Sequence, residues 1–555
     1  MVTTESQAVE VVARERLGIA VLRPEQQLAL RAAIAGRDTL VVMPTGSGKS
    51  AVYQLAGELR RGPTLVVSPL LALQADQVRS IEEHDLSGAA ALNSLMARSK
   101  FEQVLDDFVA GSLEFLFVSP EQLANGNVRS RISEAAPSLF VVDEAHCISM
   151  WGHDFRPDYL GLGDAVDALG RPPVLALTAS AAPPVRDEIV TRLGMRDAAV
   201  VTGSFDRPEL DLTVTRFADE RSKRDALLAD VPTWSGPAIV YVATRAAAES
   251  ITAALVEEGV DAATYHGALS RRERERVHRA FFDDEVSTVV ATNAFGMGID
   301  KSDVRVVAHF DVPGSVDAYA QEIGRAGRDG APAEARLYFR AEDLGLQRFF
   351  KGADVDEDVL VATLSACGRD PRGFDRIAAD VGLGRGKVRA ALERLATTTA
   401  VRHTRRGWHR TTDEVTGAVA QAVATSEALQ QLEHSRIDMM RAYAETTGCR
   451  RVVLLGYYGE RSAPPCERCD NCRDHDTRLA EDGRFTVGDR VAHTEFGPGT
   501  VMIASSDRLV VLFAEHGYRT LATDVALEAG LRRTGPGAAG RGLSRGRRGR
   551  TPPSG

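Results

Sequence analysis

The sequence predicts an α/β protein with two parallel-sheet lobes in tandem, followed by smaller modules. Three observations carry this reading. Up to about residue 205, short apolar runs alternate with helical segments, the rhythm of a parallel sheet. From 206 to 345 the same alternation starts again. Beyond 345 it gives way to short helices, a cysteine cluster and closely spaced turns. A chain of 555 residues is also too long for one core.

Composition narrows the function classes. Hydrophobic residues make up 44% and charged residues 26%, as in ordinary globular protein. The formal net charge of −10 argues against a basic coat, so any nucleic-acid site must be a local groove. No apolar run approaches the ~20 residues of a membrane span. The N-terminus lacks a basic-then-apolar signal, so a cytoplasmic location with no membrane partner is expected. Four of the six cysteines sit close together, which suits metal ligation in a reducing compartment.

In the first lobe, Leu40–Met43, Leu65–Ser68, Phe115–Ser119, Phe140–Asp143 and Val174–Thr178 read as strands. Ligands of such sheets gather outside the carboxyl ends of the strands. Met43-Pro-Thr-Gly-Ser-Gly-Lys-Ser50 lies there, opening a helix at Lys49. A strand, a glycine-rich turn and a helix N-terminus make a phosphate-binding loop. Thr45, Gly46, Ser47 and Gly48 would wrap the phosphates with backbone N–H groups. Lys49 would add a point charge on the β- and γ-phosphates, and the Ser50 hydroxyl suits Mg²⁺. Met43 stands where the strict pattern has Gly. At the end of another strand, Asp143 would hold Mg²⁺ across from the loop. Glu144 would orient or deprotonate the attacking water.

The second lobe has runs at Ala238–Ala243, Ala262–Tyr265, Thr288–Thr292, Val304–Phe310 and Ala335–Phe339, and no phosphate loop of its own. Its contribution is Gln321-Glu-Ile-Gly-Arg-Ala-Gly-Arg328. Arg325 and Arg328 are three apart, so on a helical turn they are expected to share a face. Two guanidiniums aimed across a cleft would neutralise charge developing on a γ-phosphate. Gln321 would help place the water.

Downstream, Phe374–Leu383 and Lys387–Leu395 read as helices, the second with Val388, Ala391, Leu392 and Leu395 inward. A strand with a basic turn follows at Val401–Arg410, so 346–412 is expected to be a winged helix. Cys449, Cys466, Cys469 and Cys472 are four thiols with two residues between each of the last three. That spacing lets neighbours converge on one tetrahedral Zn²⁺, so 413–478 is expected to hold a closed structural site. Turn signals and short strands, including Leu509–Phe513 and Tyr518–Leu521, suggest a small SH3-like or Tudor-like barrel over 484–534. The Arg/Gly-rich stretch 535–555 is expected to be disordered and to cling weakly to nucleic acid.

Asp143-Glu-Ala-His146 together with Gly46-Ser-Gly-Lys-Ser50 resembles superfamily 2 helicases. Cys147-Ile-Ser-Met-Trp-Gly-His-Asp-Phe-Arg-Pro-Asp-Tyr159 narrows the resemblance to the RecQ family of DNA helicases. It implies two RecA-like lobes (1–205 and 206–345) ahead of the winged-helix-like, zinc-binding and SH3/Tudor-like modules. It also implies ATP and Mg²⁺ as cofactors beside structural Zn²⁺, movement 3′→5′, and work on single strands and duplex junctions in repair and recombination. The 147–159 segment resembles the family's aromatic-rich loop, which couples single-stranded DNA to ATP hydrolysis. Trp151 and Phe155 would supply stacking faces, and Arg156 charge.

Other positions follow the same resemblance. Arg23 and Gln26 would contact the nucleotide base. Ser68 would line the DNA track, and Thr178 and Ser180 would link the two sites. Thr292 would admit the DNA backbone, and Asp300 would face the ribose or the arginines. Two positions depart from the family pattern: Ser180 stands for its usual Thr and Gln122 for its usual Arg. The winged helix precedes the zinc site, where the family commonly has it after. The 485–501 stretch is similar to the C-terminal module of UvrD/PcrA-type helicases, so RNA polymerase or another protein is an expected partner. A translocase that remodels protein–DNA complexes and an RNA-dependent ATPase are the alternative classes for the same motifs.

Overall fold

The computed structural model describes residues 2–60, 62–69, 71–84, 86–93, 96–150, 154–296, 301–351, 356–404, 406–460, 465–474, 484–504, 508–513 and 516–534, the side chains of 2–8, 72 and 349–351 excepted. The first lobe is a seven-stranded sheet of β1 (Thr39–Val42), β2 (Thr64–Val67), β3 (Ala89–Leu92), β4 (Phe115–Val118), β5 (Leu139–Val142), β6 (Val174–Thr178) and β7 (Ala199–Thr202). Its order is β3-β4-β2-β5-β6-β1-β7, parallel throughout. The inner strands are continuous apolar runs such as Thr39-Leu-Val-Val42 because helices cover both sheet faces. All four residues of β1, β2, β4 and β5 are buried.

The second lobe repeats the plan. Its strands are β8 (Leu210–Arg216), β9 (Ala238–Tyr241), β10 (Ala262–Tyr265), β11 (Thr288–Ala291), β12 (Val306–His309) and β13 (Ala333–Phe339). They run parallel in the order β10-β11-β9-β12-β13-β8. Three strands were not expected from sequence: β3, β7 and β8. All three are edge strands. An edge strand buries less surface, so its apolar signal is weaker. β3 is Ala89-Ala-Ala-Leu92, and β8 alternates buried and partly buried positions.

Glu114, just ahead of β4, offers a stability test. Its carboxyl is pushed up to about 7 by burial, with Glu58 adding repulsion and a bond from the Thr64 hydroxyl (3.2 Å) opposing it. The folded state therefore holds this proton more tightly than the unfolded state. The stability it contributes is full below about pH 4.5 and lost as pH rises through 7. Glu114→Gln is expected to raise Tm at pH 8, on the order of 1–2 °C, and to leave it unchanged at pH 4. Paired melting curves at the two pH values check this.

The winged unit is as the spacing predicts. Helices Glu357–Ala366, Phe374–Val381 and Arg385–Thr397 precede an antiparallel hairpin, β14 (Val401–Thr404) and β15 (Gly407–Arg410). Val388, Ala391, Leu392 and Leu395 are all fully buried. The 31-residue helix Val415–Glu445 then runs from this unit to the lobes. Val419 and Ala422 belong to the winged core, whereas Ile437, Met440, Tyr443 and Ala444 belong to the core shared with the lobes.

After the zinc module comes a five-stranded antiparallel sheet of β16 (Arg490–His493), β17 (Gly497–Ala504), β18 (Arg508–Phe513), β19 (Gly517–Ala522) and β20 (Arg532–Arg533), ordered β19-β18-β17-β16-β20. One face packs on its own core of Phe485, Val491, Val511 and Phe513. The other contributes Met502, Val510, Leu512 and Tyr518 to the core of the lobes. The 535–555 tail lies outside the described residues. Among the described residues no helix is long and apolar enough to cross a membrane.

Candidate nucleotide and metal sites

The phosphate loop is shaped before any ligand enters. Gly48 caps the helix Lys49–Leu59 in the left-handed region (φ 75°). A side chain there would be strained, and its Cβ would lie 2.6 Å from Gln26 Nε2. That amide donates to the Ser47 and Gly48 carbonyls at 3.0 Å each, while Gln26 Oε1 accepts from the Arg23 N–H at 2.8 Å. Gln26 thus holds the loop itself, and the Arg23 side chain is exposed beside it. The Ser47 hydroxyl donates to the Pro44 carbonyl (2.6 Å). Lys49 Nζ donates to the carbonyls of Met43 (3.0 Å) and Pro44 (3.1 Å).

Across from the loop, the Asp143 N–H pairs with the Val67 carbonyl at 2.8 Å, which fixes the residue at the mouth of the sheet. Burial and the adjacent Glu144 raise its carboxyl to about 7, with Lys49 opposing. Burial lowers Lys49, with Glu144 and Asp143 opposing. Two crowded carboxylates facing one lysine suit a divalent cation, which Asp143 and the Ser50 hydroxyl would hold. Glu144 is a non-glycine residue in the left-handed region (φ 47°), a conformation costing about 1–3 kcal/mol. It is held there by Asp143 Oδ1, which accepts from the Glu144 N–H (3.0 Å), and by the Cys147 N–H on its carbonyl (2.9 Å). His146 Nδ1 lies 3.3 Å from Glu144 Oε2 and 3.0 Å from the Thr178 hydroxyl. Thr178 Oγ1 in turn bonds the Ser180 backbone. The β6 end is thereby tied to the carboxylates.

The two arginines separate. The helix Val316–Ile323 ends before them, and 324–329 is a run of turns with Gly327 at φ 62°. They therefore do not share a helical face, contrary to the spacing argument. Gly327 then takes a left-handed conformation that turns the chain between them. Arg328 reaches the phosphate loop: a Cβ placed on Gly46 would be 3.4 Å from its Cδ, and its charge acts on Lys49. Arg325 is buried beside the Tyr241 hydroxyl, and a Cβ on Gly296 would be 3.5 Å from its guanidinium. Gly324 permits this closeness of the lobes, since a Cβ there would sit 2.7 Å from Thr45 Oγ1. Gln321 lines the interlobe cavity with Pro44, Thr45 and Ser180. Arg207, whose role the sequence reading missed, donates to the carbonyls of Gly324 (3.2 Å) and Ala326 (2.7 Å). The linker between lobes thus holds the segment that carries the arginines.

Among the residues expected to meet DNA, Arg156 is pinned by Asp154 (2.9 Å) and by the Pro69 carbonyl (3.2 Å), which ties it to the turn after β2. Phe155 is half-buried, and Ser68, Thr178 and Ser180 are buried. Thr292, at the end of β11, is buried and accepts from the Ala294 N–H (3.4 Å). Trp151 and Asp300 lie outside the described residues.

The four cysteines come together as their spacing predicts. The sulfurs of Cys449, Cys466, Cys469 and Cys472 all lie within 4.8 Å of one another. The Cys466 and Cys469 N–H groups donate to the sulfurs of Cys449 and Cys466 at 3.3 Å each. Four thiolates at that separation fit tetrahedral Zn²⁺ with no open position. The module also grips the interlobe linker, which no sequence signal announced because the partners are some 250 residues apart. Arg451 pairs with Asp206, Glu460 accepts from the Ser204 hydroxyl (2.9 Å) and the Phe205 N–H, and Tyr458 stacks on Phe205 at 3.9 Å. Cys469→Ser is expected to release the zinc and lower Tm by roughly 10 °C or more. Metal analysis with a melting curve checks it.

Comparison with known proteins agrees with this geometry. Residues 23–189 match the DEAD/DEAH box helicase model, 199–330 the helicase conserved C-terminal domain, and 411–473 the RecQ zinc-binding model. The chain is 34% identical over 452 residues to an ATP-dependent DNA helicase RecQ of Pasteurella multocida, covering 81% of this chain and 60% of that one. It is 34% identical over 468 residues to the probable ATP-dependent DNA helicase RecS of Bacillus subtilis, covering 82% and 90%. In fold it is similar to the solved DUF1998 helicase MrfA bound to DNA (TM-score 0.51, 17% identity, 74% of this chain and 60% of that one). With one relative matched over nine-tenths of its length and the zinc module recognised beside both lobes, the chain belongs to the RecQ family of ATP-dependent DNA helicases.

Proposed function

We propose that this chain is an ATP-driven motor that unwinds DNA in the 3′→5′ direction and serves repair and recombination. The observation that carries the reading is Arg328 of the second lobe lying against Gly46 of the first, opposite Asp143 and Glu144. ATP seated on Lys49 and the loop N–H groups gives Arg328 a γ-phosphate to neutralise. Mg²⁺ on Ser50 and Asp143 would screen the phosphates and polarise them. Glu144 takes the proton of the attacking water, with Gln321 placing that water. Loss of the γ-phosphate removes the partner of Arg328, and the lobes part. Repeated closure, with a strand held alternately by each lobe, moves the protein along it.

DNA contact is assigned to Trp151, Phe155 and Arg156, and its coupling to ATP to Ser68, Thr178, Ser180 and Thr292. Asp300 is assigned to the ribose side, and Arg23 and Gln26 to the base. Exposed Arg385, Lys387 and Arg389 on the winged unit suit duplex phosphates at a junction. The exposed Val525 and Leu527 of the C-terminal module suit a protein partner such as RNA polymerase. Strand displacement on 3′-tailed and 5′-tailed duplexes tests the reading. Unwinding of the 3′-tailed substrate alone is expected, with hydrolysis stimulated by DNA more than by RNA. DNA-stimulated ATPase without displacement would make the protein a translocase, and preference for RNA would move it to the third class.

A further inference from the structure

The C-terminal sheet is docked on the motor rather than hung beside it. Gly517 of β19 lies against Ser435 of the long helix, and the Met502 carbonyl would be 3.1 Å from a Cβ on Gly456 of the zinc module. At the centre of this contact is Tyr518, 5% exposed, its ring centroid 5.7 Å from that of Tyr457. The Tyr457 hydroxyl donates to Asp317, a buried carboxylate on the second-lobe helix that leads to Gln321 and the arginines. Arg436 completes the cluster. It is 2% exposed, acts on both Asp317 and Tyr518, and donates to the Met150 carbonyl at 2.6 Å. Met150 is the fourth residue of the 147–159 segment and precedes Trp151 in the chain.

One phenol ring therefore touches the residue that pins the second lobe and neighbours the residue that pins the DNA-side segment of the first. We propose that the C-terminal module is a working part of the motor, with Tyr518 a positioning residue. By seating Tyr457 and Arg436 it fixes Met150, which precedes Trp151 in the chain, relative to the second lobe, so that a bound strand changes ATP turnover. This rests on the reading above that the segment senses single-stranded DNA.

The physical case is one of connectivity. The cluster joins both lobes through Tyr457, Arg436 and Tyr518, which belong to neither, and a packed, hydrogen-bonded contact of this kind holds discrete arrangements rather than a graded one. A module seated on such a cluster biases which state is held. The module lies beyond residue 473, where the matched zinc-binding model ends.

The test uses the full chain. Tyr518→Ala, Tyr518→Phe and Arg436→Lys are compared with the parent for basal ATPase, for ATPase with saturating single-stranded oligonucleotide, and for Tm and zinc content. Expected is a fall of about fivefold to tenfold in DNA stimulation for Tyr518→Ala and Arg436→Lys, with basal turnover within about twofold. Tyr518→Phe, which keeps the ring, is expected to retain most of the stimulation. Unchanged stimulation in a folded, zinc-loaded Tyr518→Ala overturns the proposal, as does a parallel loss of basal and stimulated rates. If Tyr518→Ala does not fold, unchanged stimulation in Arg436→Lys overturns it. A second arm is independent of DNA: with Trp234→Phe and Trp408→Phe in the background, Trp151 alone reports the segment. Its emission and iodide quenching are expected to shift in Tyr518→Ala and Arg436→Lys, and no shift in either overturns the proposal. A parent whose ATPase ignores DNA would instead sink the proposed function, and the emission arm would still decide this one.

Discussion

Arg328→Ala is expected to lower kcat for ATP hydrolysis by about 10³–10⁵, the range for losing an arginine that neutralises a transferring phosphoryl group. The KM for ATP should change far less, because the charge Arg328 meets develops mainly in the transition state. Its position supports this: it lies against Gly46 at the turn of the loop, with its charge felt by Lys49. Arg325→Ala should cost clearly less. Arg325 is buried among Tyr241 and Gly296 on its own lobe, where it braces the segment after β11. Steady-state kinetics with and without DNA check both. Equal losses at the two positions would mean that they act as a pair. A loss at Arg325 alone would remove Arg328 from the chemistry.

Much of this architecture was legible because its strongest signals are local. Buried parallel strands such as Thr39-Leu-Val-Val42 announce themselves as apolar runs, and the phosphate loop, Asp143-Glu144 and the cysteine spacing each span a few residues. The winged-helix core was readable for the same reason: Val388, Ala391, Leu392 and Leu395 repeat at helical spacing. The misses share one cause. Edge strands β3, β7 and β8 carry weak patterns because neighbours cover only part of them. The helical placement of Arg325 and Arg328 failed because the helix stops at Ile323 and the chain passes through turns, with Gly327 at positive φ between the two arginines. Arg207 on Gly324 and Ala326, Arg451 on Asp206 and Tyr518 on Tyr457 are contacts between distant segments. No periodicity encodes these, so the grip of the zinc and C-terminal modules on the lobes emerged only from the structure.

Lys49→Ala is the second large effect, a fall in ATP turnover of at least about 10²–10³, as for loss of one oriented donor to a developing oxyanion. Two consequences of one deletion make it severe. The ammonium proposed to meet the β- and γ-phosphates is gone. So is the cation that most offsets Asp143, whose carboxyl burial and Glu144 already raise to about 7. Without Lys49 the two carboxylates repel with less compensation, and Asp143 becomes a poorer Mg²⁺ ligand at neutral pH. ATP binding should weaken along with turnover, which separates this variant from Arg328→Ala. Lys49→Arg is the control. It keeps the charge but replaces a compact ammonium with a planar fork. The native ammonium is held by the Met43 and Pro44 carbonyls at 3.0 and 3.1 Å, beneath a loop shaped by Gln26. Turnover should therefore stay low in Lys49→Arg, showing that placement matters beyond net charge. Near-normal turnover in Lys49→Ala would overturn the nucleotide assignment, and with it the role given to every residue around the loop.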